Sequence, residues 1–393
     1  MQTEGQIASP TRIGREDQLQ FLRFWAFFNV FVCDGEQWLF FKYPTSHCST
    51  AAVSFFFMLS GLVTALVFYN RDVRLSWREE GKYLWRKVKK IYPLYLFTTL
   101  YLFLYTNTES LAALFDIHRF PGQLLRNLLL VQSWSAEGAF SYNGVGWFLS
   151  TLMFLSVFNL PVMFLLNKIN RRPKGWLLLS CALVGTLFMT AVYCYLTKNL
   201  DMDYWQYIFP PARMGEYLGG MLLGMLVCTL KPHLKQGNTV RIVFTVLEVG
   251  ALGYWFFMLS RAGSPWRSRI FTWLLPNLVL IGVFTCGMGW VSSLFRWKPL
   301  VCLGDVSFEC FLIHNVFLVQ YAVVHGNETL SRSESAAVFL FCLGMSILLA
   351  LLIHKFPEKR KKYRSNAGFI RKKHRTIRRS VFLTISGKDQ RFF

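Results

Sequence analysis

Charge is scarce in this chain, and acidic charge scarcest: only 16% of its 393 residues are charged, 21 of them acidic and 43 basic. Soluble domains carry roughly a quarter charged residues, so a soluble globular fold is not expected. Equally absent is any gap of soluble-domain length between the apolar runs that recur from residue 19 to residue 355. The nine cysteines, at 33, 48, 181, 194, 228, 286, 302, 310 and 342, form no CxxC and no His/Cys cluster. Neither a zinc site nor a disulfide framework is therefore expected, and no metal is assigned. The leader holds Arg12 and Arg15 but no small-residue cleavage site, which argues against a removable signal peptide. No internal repeat and no matched pair of Gly/Pro-broken helices is visible, which weakens a transporter reading.

What the chain has is apolar surface: 53% hydrophobic and 17% aromatic residues. Its runs approach the ~20 residues that cross ~30 Å of hydrocarbon. The expected fold is an all-α membrane protein of about ten transmembrane helices, near 19–41, 51–70, 91–107, 143–166, 175–197, 211–230, 240–260, 270–293, 299–323 and 335–354. Residues 1–18 form a leader, 19–355 the membrane domain and 356–393 a basic tail. Ten crossings return both termini to one side; about 33 Lys and Arg fall on that side and about 8 on the other. The positive-inside rule then places both termini in the cytoplasm. The net charge of +22 follows from this loop asymmetry, and nucleic acid is not an expected partner.

Four stretches can carry chemistry. FLRFWAFFNVFVCDGEQ, residues 21–37, sets Asp34 eleven residues after Arg23, within roughly 20° of the same helix face and about 16 Å along the axis. An acid at that depth must face the bundle interior or a wet cavity. The bland alternative ends the helix near Val32 and leaves Asp34 and Glu36 among headgroups. WRKVKKIYPLYL, residues 85–96, clusters Lys87, Lys89 and Lys90 before Pro93, which suits a first helical turn. Those cations are either a topology signal or a surface for a phosphorylated cytosolic ligand. SFFFMLSGLVT, residues 54–64, offers Ser60 and Gly61 for close helix packing. LGDVSFECFLIHN, residues 303–315, buries Glu309 and His314 in an apolar run, where a single histidine is more often a packing residue.

Taken in order, FLRFWAFF, AVSFFFMLSGLVT, KKIYPLYL, NGVGWFLSTLMF, FPPARMGEYLGGMLLG and LGDVSFECFLIHN resemble the acyltransferase-3 family of bacterial integral-membrane acyltransferases, over roughly residues 18–356. The resemblance implies transfer of an acyl group, usually acetyl, from cytosolic acyl-CoA to a hydroxyl of a surface glycan, another glycoconjugate or a small molecule. It implies a bacterial inner-membrane location, acyl-CoA as co-substrate with no permanently bound cofactor, and the bilayer and a glycan acceptor as partners. The family's first helix bears an arginine and, beyond it, a histidine taken as catalytic base. Here Arg23 matches the arginine and Asp34 stands where the histidine would be. The family's paired arginines before an IYP-like sequence are matched by Lys87 and Lys90, which keep the charge but lose the planar fork.

The implied catalytic residue is thus Asp34, which burial would make a better general base, and the implied donor-binding residues are Arg23, Lys87 and Lys90. His47 and His118, in outer loops, are further candidates to enter the site. Two other readings stay open on sequence alone. One is a catalytically impaired relative that binds a ligand or partner, and the other is a proton-coupled transporter or flippase using Asp34 and Glu309.

Overall fold

Backbone polar groups have no partner in hydrocarbon, so long apolar runs must satisfy their own hydrogen bonds, and they do so as helices. The computed structural model describes residues 16–39, 48–106, 121–261, 269–325 and 330–355; among them every element is helical and no strand forms. The order is α1 (Gln18–Leu39), α2 (Cys48–Phe68), α3 (Trp77–Thr106), α4 (Pro121–Leu128), α5 (Gly146–Ser156), α6 (Asn159–Asn170), α7 (Gly175–Leu196), α8 (Met214–Leu230), α9 (Asn238–Ser260), α10 (Arg269–Cys286), α11 (Trp290–Phe295), α12 (Lys298–Asp305), α13 (Ser307–His325) and α14 (Arg332–Lys355). The tail 356–393, His47 and His118 lie outside the described residues.

Among the described residues, α2, α7, α9, α13 and α14 are long and apolar enough to cross a membrane, and α5 with α6 makes a sixth span if their 50° bend is counted as one crossing. This is fewer than the ten expected, for local reasons. Charge interrupts α1 at Arg23, Asp34 and Glu36, and the first half of α3 is basic. The expected span 270–293 ends at Cys286 and resumes at Trp290 after Gly287, whose φ of +63° is a conformation that favours glycine. The span 299–323 divides into α12 and α13. Pro93 does not open a helix as its sequence context predicts; it lies inside the continuous α3, which starts fourteen residues before Ile91 at Trp77. The possibility that α1 stops near Val32 is also excluded, because the helix runs on to Leu39.

The bundle is organised around α2, which packs most closely on α8. Small residues make that approach possible: a Cβ added to Gly220 would stand 1.9 Å from the Met58 carbonyl oxygen, and one on Gly61 2.0 Å from that of Tyr217. Such backbone contact is what small-residue stripes provide where lipid tails supply no hydrophobic drive between helices. Beside it, Arg213 is fully buried, its Nη1 donating to both carboxylate oxygens of Glu216 at 3.0 Å, with the rings of Phe57, Trp147 and Tyr207 around the guanidinium. A buried cation is tolerated only with this kind of pairing.

One disulfide corrects the cysteine expectation. Cys33, near the end of α1, is bonded to Cys48, the first residue of α2, with Cα atoms 6.5 Å apart. The fifteen-residue spacing is no recognisable motif; the two cysteines meet because antiparallel helices return to the same level.

Candidate functional site

A cavity of about 600 Å³ opens among α1, α2, α3, α5, α12, α13 and α14. Arg23, Lys87 and Lys90, the three cations singled out in the sequence, all line it, joined by Arg71 and Arg86. They come from different elements: Arg23 from the first turns of α1, the others from the basic half of α3 and the turn before it. One helical turn separates Lys87 from Lys90, so both face inward. Arg23 Nη1 donates to Gln20 Oε1 at 3.1 Å. Lys87 Nζ donates to Ser156 Oγ at the end of α5. Half-buried before the apolar part of α3 begins, Lys87 is desolvated by the walls around it, which pushes its ammonium down to about 8.

The bend between α5 and α6 gives the wall polar character. Asn159, the first residue of α6, donates to Tyr83 Oη at 2.8 Å and accepts from Tyr217 Oη at 2.7 Å. Opposite, His354 Nδ1 on α14 lies 3.2 Å from Glu309 Oε1 on α13.

The cavity does not reach Asp34. In α2 and α5, which run toward the basic mouth, lining begins at Phe56 and Phe148; in α13, which runs away from it, lining ends at Phe311. These three rings close on one another, with centroids 6.1, 6.0 and 5.3 Å apart. They form the deep end.

One turn beyond Phe311 on α13 is His314, fully buried, and its Nε2 lies 3.0 Å from Asp34 Oδ2. The α1 stripe read from the sequence accounts for this meeting. Phe27 and Phe31 pack their rings on the imidazole at 5.6 and 5.8 Å, and Asp34, three residues on, supplies the carboxylate. Nδ1 faces the carbonyl oxygens of Phe311 at 2.9 Å and Cys310 at 3.3 Å. A carbonyl only accepts, so Nδ1 carries the N–H, which leaves Nε2 as the nitrogen that faces Asp34. Nε2 and a carboxylate oxygen stand 3.0 Å apart, within hydrogen-bond reach. The Asp34 side chain keeps 28% of its exposure while that of His314 keeps none, so the carboxylate is the open half of the pair.

The structure therefore brings Arg23, Lys87 and Lys90 to one cavity and sets Asp34 beyond its aromatic end, against a histidine that sequence reasoning treated as packing. The signal for His314 was present: an acid and an imidazole, each stranded in an apolar run, each need a partner.

The family model described as an acyltransferase domain matches residues 16–355. The chain is 27% identical over 374 residues to Acyltransferase MdmB of Streptomyces mycarofaciens, covering 89% of this chain and 92% of that protein. It is 23% identical over 319 residues to Nose resistant to fluoxetine protein 6 of Caenorhabditis elegans, covering 69% of this chain and 39% of that protein. No solved structure matches.

Proposed function

The chain belongs to the acyltransferase-domain family, and from that premise we propose that it moves a short acyl group, acetyl in the simplest case, from cytosolic acyl-CoA to a hydroxyl of a cell-surface glycan or glycoconjugate in a bacterial inner membrane. As an acyltransferase in a bundle of membrane-crossing helices, it has to receive one substrate and release another. The basic cavity suits a polyanionic donor: five cations at its mouth attract the phosphates of a nucleotide thioester, and its narrowing apolar interior suits the acyl-bearing arm. The excess of Lys and Arg on the same side favours a cytoplasmic mouth and cytoplasmic termini.

The observation that carries the proposal is the His314 to Asp34 pair. It stands just past the deep end of the cavity, behind the layer of Phe56, Phe148 and Phe311 that the thioester of a bound donor would press into to approach it. Asp34, open toward the other face, takes the proton of the acceptor hydroxyl as the oxygen attacks the carbonyl carbon. The new C–O bond forms, the C–S bond breaks, and the CoA thiolate leaves on the cationic side. His314 holds the carboxylate in place and shares the proton through Nε2, with Nδ1 fixed by the α13 carbonyls. The histidine that the first helix lacks is thus met by one facing it from α13, which favours an active enzyme over an impaired relative.

Purified protein in nanodiscs, given acetyl-CoA with water or an added sugar as acceptor, should release CoA thiol. Asp34→Asn and His314→Gln should each lower that rate roughly 10²-fold or more, the usual worth of a positioned acid or base. An unchanged rate in Asp34→Asn would remove the pair from the mechanism.

A further inference from the structure

We propose that Phe56, Phe148 and Phe311 set the length of acyl chain the enzyme accepts, an inference that rests on the acyl-transfer function above. The donor cavity is basic at its mouth and closes on these rings, each contributed by a different helix. Every pair of centroids lies within 6.1 Å, so the three rings narrow the deep end to a constriction between the cavity and His314. Edge and tilted contacts at such separations are favourable and resist displacement.

Their placement fixes what they can measure. Phe311 is one turn short of His314 on the same helix, with its ring 6.0 Å from the imidazole. A thioester carbonyl that comes within reach of the pair therefore has its acyl tail against the ring layer. Two of the rings are tightly backed. Phe148 packs at a tilt on Phe57 at 4.6 Å and is 4% exposed, as is Phe311, so neither can swing aside without disturbing the bundle behind it. An acetyl group asks the least displacement of such a constriction. Each further methylene must displace a ring or pull the carbonyl back from His314, and a single methylene commonly shifts specificity by roughly 10-fold or more.

The test compares kcat/KM for hexanoyl-CoA and acetyl-CoA, by thiol release in nanodiscs, in the parent and in Phe56→Ala and Phe148→Ala. The ratio is independent of how much protein folds; Phe56→Leu and Phe148→Leu, which disturb packing less, should move it the same way by a smaller factor. The expected result is a rise of at least 10-fold in the hexanoyl to acetyl ratio for the alanine variants, carried mainly by hexanoyl. A ratio within twofold of the parent in all four variants, with acetyl turnover retained, overturns the proposal and leaves the acyltransferase function standing. Failure of the parent to release thiol from any acyl-CoA overturns both.

Discussion

Lys87 shows how one side chain reports on the basic cavity proposed to take the donor. Its ammonium is pushed down to about 8 by the walls around it, against an ordinary value near 10.5. A lysine lowered in this way is held as a cation at a cost below about pH 8, and that cost is relieved between about pH 8 and 10.5 as the folded form gives up its proton. Phosphate beside it acts the other way and restores the cation. Donor KM should therefore be flat below about pH 8 and climb above it, while Lys87→Arg, whose guanidinium stays charged, should flatten that climb. A KM profile identical in the two proteins would separate Lys87 from donor binding. At the neighbouring pair, Asp34→His is expected to lower thiol release by at least 10-fold, because it sets a second imidazole against Nε2 and removes the open carboxylate; a gain in rate would revive the impaired-enzyme reading. The arginine-to-aspartate spacing on α1 was legible from helical geometry, and so was the inward face that the two share. The partner was not, because periodicity within one helix says nothing about which residue of another, 280 positions away, will stand opposite.

At the scale of elements, the seam between α2 and α8 is the part of the bundle least able to change. Gly220→Leu forces side-chain atoms into the Met58 carbonyl, which a single Cβ would already approach to 1.9 Å. Overpacking of this kind costs about 1–3 kcal/mol where neighbours can yield, and backbone yields least. Thermal unfolding in detergent should show a marked loss of stability for Gly220→Leu. Gly250→Ala on α9, where an added Cβ meets nothing within 4 Å, should be neutral or slightly stabilising. Long apolar helices such as α2, α7, α9 and α14 were readable from composition because lipid demands the same pattern of any span. The breaks were not. The bend at α5 and α6, the Gly287 turn and the passage of α3 through Pro93 depend on what packs around them, including the Tyr83 and Tyr217 hydroxyls that seat Asn159.

For the whole molecule, the proposed topology makes opposite predictions for its two ends. In that topology the basic mouth would face the cytoplasm, and Asp34 with its neighbouring disulfide the other side, where oxidising conditions let such bonds persist. In intact cells, a membrane-impermeant maleimide should label Cys33 only after reduction from outside, and introduced cysteines at Arg74 and Lys82 should stay unlabelled until the membrane is opened. Labelling of the mouth positions from outside would invert the assignment. The disulfide also bears on how the protein is made. Its two cysteines belong to the first two helices, so the bond can close once that hairpin has been delivered across the membrane, long before α8 or α13 leaves the ribosome. The carboxylate that meets His314 is then anchored early in synthesis, and a host that cannot oxidise thiols on that side would assemble the later helices around an untethered α1.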